Sequence, residues 1–142
     1  MKKINCILLV DDNPADNAYH KIIITEADVC NHIKIVTSGQ EAIDYINNAS
    51  KPGQAELFPK PDIIFLDINM PGMNGFEFLE IYHTLEEDQK SKAVVIMLTT
   101  SLNPEDKTKA MGFKEVNEFQ NKPLTVEIIK ETVKKYFEAN AT

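Results

Sequence analysis

Acidic residues close two of the most apolar runs in the chain. Asp11 and Asp12 follow ILLV, and Asp67 follows IIFL and precedes a Pro71-Gly72 turn. A strand can end in a charge simply because it reaches solvent, so Asp67 alone decides little. Two further runs end in polar groups, however: VVIML gives way to Thr99, Thr100 and Ser101, and VNEFQN to Lys122 and Pro123. A carboxylate nucleophile, hydroxyls, a lysine and acids able to share a cation form a set suited to a transferring phosphoryl group, whose charge must be neutralised and held in line. Acids brought close together repel one another unless a cation lies between them. Mg²⁺, which keeps several waters and takes few carboxylates, suits such a site better than Ca²⁺.

These residues act together only if the fold gathers the strand ends. Short apolar runs alternate with helical patterns along the chain: INCILLV, IKIVT, DIIFLD, AVVIML and the weaker VNEFQN, each followed by a helix. That alternation predicts βαβ units and a parallel sheet covered on both faces, with five strands and five helices. Asn13-Pro14 and Asn103-Pro104 each offer an N-cap with proline at the first helical position, and Ser38 with Glu41 has capping-box spacing. Gly75 precedes the third helix, Gly112 suits the end of the fourth, and Thr125 caps the last, whose Ile129, Val133, Tyr136 and Phe137 form one apolar stripe. Residues 47–61 contain three prolines and a glycine and read as a long surface loop. In an open parallel sheet, ligands bind beyond the carboxyl ends of the strands where strand order reverses. An order of 2-1-3-4-5 puts strands one and three side by side, so Asp11, Asp12 and Asp67 meet there.

Composition narrows the classes. The chain of 142 residues, 43% hydrophobic, is expected to form one domain over 1–142, with its core at about 5–138. Its net charge of -7 argues against a nucleic-acid partner, because phosphate contacts demand a basic face. Cys6 and Cys30 are too few for a disulfide framework and read as reduced thiols in or near the core. The apolar N-terminal run is short and meets Asp11 and Asp12 where a signal peptide would place a cleavage site, and no run is long enough to span a bilayer. The expected location is cytoplasmic, with no membrane partner. His20, His32 and His83 lack metal spacing and read as surface or satisfied residues.

Four strings together carry a resemblance: LLVDDNP, FLDINMPGMNG, MLTTS and FQNKP, in order at the ends of strands one, three, four and five. The sequence resembles a response-regulator receiver domain of two-component signalling, of the chemotaxis-regulator-like kind, from about Cys6 to about Phe137. The resemblance implies a flavodoxin-like doubly wound fold. It also implies that Asp67 accepts phosphate from a phosphohistidine, that Asp12 and Asp67 ligate Mg²⁺ directly with the backbone carbonyl of Asn69, and that Asp11 helps through bound water. Thr99 would hydrogen-bond a phosphoryl oxygen, Lys122 would pair another, and Phe119 would be the switch aromatic that turns inward as Thr99 moves. The side chains of Asn69 and Ser101 would flank the water that removes the phosphate, and the Lys122-Pro123 bond is expected to be cis.

The resemblance implies partners as well. They are a sensor histidine kinase or histidine phosphotransfer protein, and a further protein, or a second copy of the chain, on the face made by helix four, strand five and helix five. Because the chain ends soon after the last helical stripe, no effector domain is expected to follow. Such a protein catalyses its own phosphorylation and dephosphorylation rather than turnover of an external substrate. Taken singly, each of these residues has an ordinary structural explanation; their conjunction carries the reading. Thr100 is bulkier than the small residue usual after the switch hydroxyl, Phe119 lacks the hydroxyl of the commoner tyrosine, and Asn74 replaces a frequent aspartate. A haloacid-dehalogenase-type phosphatase would place a second acid two residues beyond its nucleophile, where this chain has Asn69. A phosphorelay intermediate and a receiver that serves only as a binding module remain the alternatives.

Overall fold

Side chains alternate faces along a strand, so a parallel sheet covered on both sides needs strands that are apolar at every position. The central strands meet that demand. In the computed structural model, which describes residues 3–90, 92–100 and 103–138, β3 (Ile63–Asp67) and β4 (Val94–Thr99) are buried throughout. Beside them lie β1 (Ile4–Val10), β2 (Cys30–Val36) and β5 (Val116–Asn121), all parallel, in the expected order β2-β1-β3-β4-β5. The two edge strands carry the polar residues Asn31, His32, Lys34, Glu118 and Gln120, which keeps an open edge from pairing with another chain.

The period of two sorts the core into two layers. Leu8, Val10, Ile64, Leu66, Val95 and Met97 face α2 (Gly39–Ala49), α3 (Gly75–Thr84) and α4 (Pro104–Met111). Ile7, Leu9, Ile63, Phe65, Ile96 and Leu98 face α1 (Pro14–Ala27) and α5 (Val126–Val133), which continues as a π-helical turn over Lys134–Glu138. Cys6 is buried and Cys30 half-buried, both as free thiols.

Local sequence fixes where the helices begin, and hence which residues their first turns aim at the strand ends. Asn13 accepts hydrogen bonds from the amides of Ala15 and Asp16, with Pro14 at the first helical position. Asn103 and Thr125 cap α4 and α5 in the same way. Ser38 caps α2, but Glu41 reaches past it to the Thr37 amide, at 2.9 Å. The complete capping box belongs to Asn74 and Glu77 at the start of α3. The Lys122-Pro123 peptide is cis, as expected.

Three features depart from the sequence reading. First, α2 runs on to Ala49, so the loop begins at Ser50; it is pinned rather than loose, with Phe58 edge-on to Tyr45 and the Tyr45 hydroxyl donating to the Pro59 carbonyl at 2.6 Å. Second, Asp62 precedes β3 instead of opening it, and its carboxylate accepts from the amides of Asn5 and Cys6. Third, a one-turn helix over Glu87–Lys90 brings the α-helices among the described residues to six. Its Lys90 is buried against Glu115 at 3.0 Å, and His83 meets the same carboxylate at 2.9 Å. Just beyond Glu115 the ladder between β4 and β5 slips: Val95 pairs with Val116 but Ile96 with Glu118, and the skipped Asn117 accepts the Val95 amide on its side chain.

Gly75 is the tightest junction between fold and site. Its amide donates to the Ile68 carbonyl at 2.8 Å, and a Cβ at this position would lie 2.6 Å from the Asp67 carbonyl oxygen and 3.0 Å from the Ile68 Cα. These are backbone atoms that cannot swing aside. Gly75→Ala is expected to cost about 1–3 kcal/mol through the forced shift of the β3–α3 junction, read as a lowered urea midpoint with an unchanged denaturant slope.

Candidate functional site

The carboxyl ends of β1, β3 and β5 deliver their charged residues to one pocket. Asp11, Asp12, Asp16, Asp67, Asn69 and Lys122 all line it. Carboxylate oxygens of Asp11, Asp12 and Asp67 lie within 4.8 Å of one another. Asp11 is fixed on both sides: one oxygen accepts the Asn13 amide at 2.9 Å, the other the Lys122 ammonium at 2.7 Å. Its carbonyl accepts the side-chain amide of buried Asn17 at 2.8 Å, which ties the end of β1 to the first turn of α1. Asp12 is the most exposed of the three acids.

Asp67 ends β3 with only 5% of its surface exposed. Burial pushes its carboxyl up to about 6, the charges of Asp11 and Asp12 act in the same direction, and Lys122, 3.2 Å away, pulls against them. Lys122 is buried too. Burial works against its charge, but hydrogen bonds to Asp11 and Asp16 and the neighbouring carboxylates outweigh that and hold its ammonium above the ordinary lysine value. Three carboxylates thus contact one cationic side chain, and Asp12 lies beside two of them. Their oxygens are hard donors of the kind that suit Mg²⁺, and their excess of negative charge is what a divalent ion would balance.

The hydroxyls divide between two places. Thr99 is fully buried at the end of β4, while Thr100 is exposed and forms part of the pocket wall. The Thr99 carbonyl accepts the Lys122 amide at 2.9 Å, so the ends of β4 and β5 are joined through the backbone at the site. Phe119 pairs with Met97 across the ladder and lies half-buried against the layer that contains α4. Ser101 falls outside the described residues.

The sequence reading passed over Asp16 and took His20 as a surface or satisfied residue; it is buried and satisfied. Asp16 Oδ2 is 2.8 Å from Lys122 Nζ, and His20, buried one turn further along α1, accepts the Leu124 amide at 3.2 Å. Burial and the neighbouring Lys122 charge lower the His20 pKa, which keeps the ring neutral and able to accept. The sequence signal for Asp16 was available: a capped helix starting at Pro14 places its first-turn acid beside the acids at the end of β1.

The whole-chain pattern matches one family. The family model described as the response regulator receiver domain matches residues 7–134. This chain belongs to that family. The receiver's five-stranded fold recurs in a two-component response regulator from Cytophaga hutchinsonii, which is 34% identical, with a TM-score of 0.84 over 94% of this chain and 97% of the other. Among curated proteins, the probable methanogenesis regulatory protein FilR2 of Methanothrix harundinacea is 30% identical over 89% of this chain and 77% of its own length. A hybrid signal transduction histidine kinase of Dictyostelium discoideum is 26% identical over 92% of this chain, which spans only 10% of the kinase. Among the described residues of this receiver no helix is long and apolar enough to cross a membrane.

The raised Asp67 carboxyl sets a stability penalty with a definite sign. The unfolded chain releases this proton near 3.8 and the folded receiver only near 6, so stability falls as pH rises between those values and the whole deficit is present above them. Without metal, Asp67→Asn is expected to be more stable than wild type at neutral pH, by on the order of 2–3 kcal/mol. The gap should close as pH falls through 6 toward 3.8, and it should narrow at neutral pH on adding Mg²⁺. Urea unfolding of both proteins at the two pH extremes, with and without the ion, measures it.

Proposed function

We propose that this receiver domain accepts a phosphoryl group on Asp67 and uses it to switch a protein-binding surface. One observation carries the reading: a buried strand-end carboxylate has an ammonium at 3.2 Å on one side and two further acids within 4.8 Å on the other. Receiver domains bind Mg²⁺ at acidic pockets of this kind, and here Asp12, Asp67 and the Asn69 carbonyl would hold the ion, with Asp11 acting through a bound water. When bound, that ion neutralises negative charge on the phosphoryl oxygens.

The residues of the chain do the rest. An oxygen of Asp67 forms the new bond to phosphorus as the bond from phosphorus to the donor nitrogen of a phosphohistidine breaks. Lys122 supplies a compact positive charge to one phosphoryl oxygen and Thr99 a hydroxyl to another. Drawn toward that oxygen, Thr99 vacates space that the Phe119 ring fills, and the face made by α4, β5 and α5 is reshaped for a partner protein or a second copy of the chain. The donor is a sensor histidine kinase or a histidine phosphotransfer protein. By resemblance to the family, Asn69 and Ser101 would modulate the later removal of the phosphate by water.

Two outcomes test this. With Mg²⁺ and acetyl phosphate, wild type should gain one acid-stable, base-labile phosphoryl group by intact-mass spectrometry, and Asp67→Asn should gain none; equal labelling of both would refute the assignment. Thr99→Ala should still take up phosphate, yet the shifts of α4 and β5 amides on adding beryllofluoride should be largely lost from its NMR spectra. Changes confined to the loops around Asp67 in wild type would sink the coupling.

A further inference from the structure

Lys122 meets three carboxylates: its ammonium donates to Asp11 at 2.7 Å and to Asp16 at 2.8 Å, and forms an ion pair with Asp67 at 3.2 Å. These acids are not equivalent. Asp11 and Asp67 belong to the group of three carboxylates close enough to share a cation, and Asp67 also has the phosphoryl group to receive; Asp16 lies outside that group. Asp16 is therefore the one partner of Lys122 that neither the ion nor the phosphate claims. Its own position is set independently, because its amide is bound by the Asn13 cap at 3.1 Å. One turn along the same face, His20 accepts the amide of Leu124, two residues beyond the lysine. Asp16 holds the side chain and His20 the backbone, on either side of the cis Lys122-Pro123 bond.

From this geometry we infer that Asp16 is a positioning residue for phosphoryl transfer: it keeps the Lys122 ammonium aimed over Asp67 while Asp11 turns to the cation and the phosphoryl oxygen replaces the Asp67 carboxylate. The inference rests on Asp67 being the phosphoacceptor. Asp16 is 37% exposed, so the loss should be modest.

At saturating Mg²⁺, with phosphoramidate as donor, Asp16→Asn should label about three- to fivefold more slowly than wild type. Asp16→Glu, which restores the charge, should recover most of that rate. The ¹⁵N–¹H signal of the Lys122 ammonium, protected from exchange by its carboxylate partners, should weaken in Asp16→Asn without phosphate present, while the unfolding midpoint changes little. A rate in Asp16→Asn equal to or above that of wild type would overturn the inference, since it would mean that Asp16 only repels an anionic donor or decorates the surface. So would a slow rate that glutamate fails to rescue, or an unchanged ammonium signal. If wild type itself takes no label, the phosphoacceptor reading fails and this inference falls with it; if wild type labels and the variants behave alike, only the inference fails.

Discussion

The contact between one buried ammonium and a ring of carboxylates governs how this molecule is built. Without Lys122, Asp11 and Asp67 would be two largely buried acids close together at the end of a sheet with no cation between them, and the Asp67 carboxyl would be pushed up further. With it, the charges persist, though incompletely balanced, and Asp67 keeps its raised pKa. Removing the ammonium from such a cluster leaves uncompensated carboxylates away from water, a larger loss than the attraction itself supplies, whereas neutralising Asp67 relieves part of the excess negative charge. The site is thus held in tension: stable enough to preserve its geometry, yet with an excess of negative charge that a divalent ion relieves.

That tension needs a stiff frame, and the frame comes from ordinary rules. Strands apolar over most of their length hold β1 and β3 in the centre, so the acids at their ends meet at a fixed spacing. The caps at Asn13 and Asn74 fix the phase of α1 and α3, and hence the direction of the loops that leave Asp12 and Asp67. Gly75 permits a close approach, where α3 begins directly over the carbonyl of Asp67.

Much of this was legible in the sequence because each strong signal was short-range. Apolar runs revealed β1, β3 and β4, and the acids came directly after them, so topology alone brought Asp11, Asp12 and Asp67 together. What escaped depended on distant packing. The bridge from Asp16 to Lys122 spans most of the chain and exists only because α1 packs beside the end of β5. The one-turn helix at Glu87–Lys90 is too short to show a period and forms around the buried pair of Lys90 with Glu115. Asp62 reads as the first residue of a strand until its carboxylate is seen holding the amides of β1. The resemblance singled out Thr99 over Thr100, but only the fold shows that Thr99 is buried while Thr100 lines the pocket.

The slip in the ladder at Asn117 has a mechanical consequence. Below it, β5 is clamped at its foot, where Glu115 is bound by Lys90 and His83; above it, the strand runs in regular register to Asn121 and on to Lys122. A rod fastened at one end with a soft joint just above the fastening moves as a lever. A pull at Lys122 and Thr99 would act on the part of β5 beyond the slip, while Lys90 and His83 hold its foot at Glu115. Among the described residues, the outer edge of β5 pairs with no further strand.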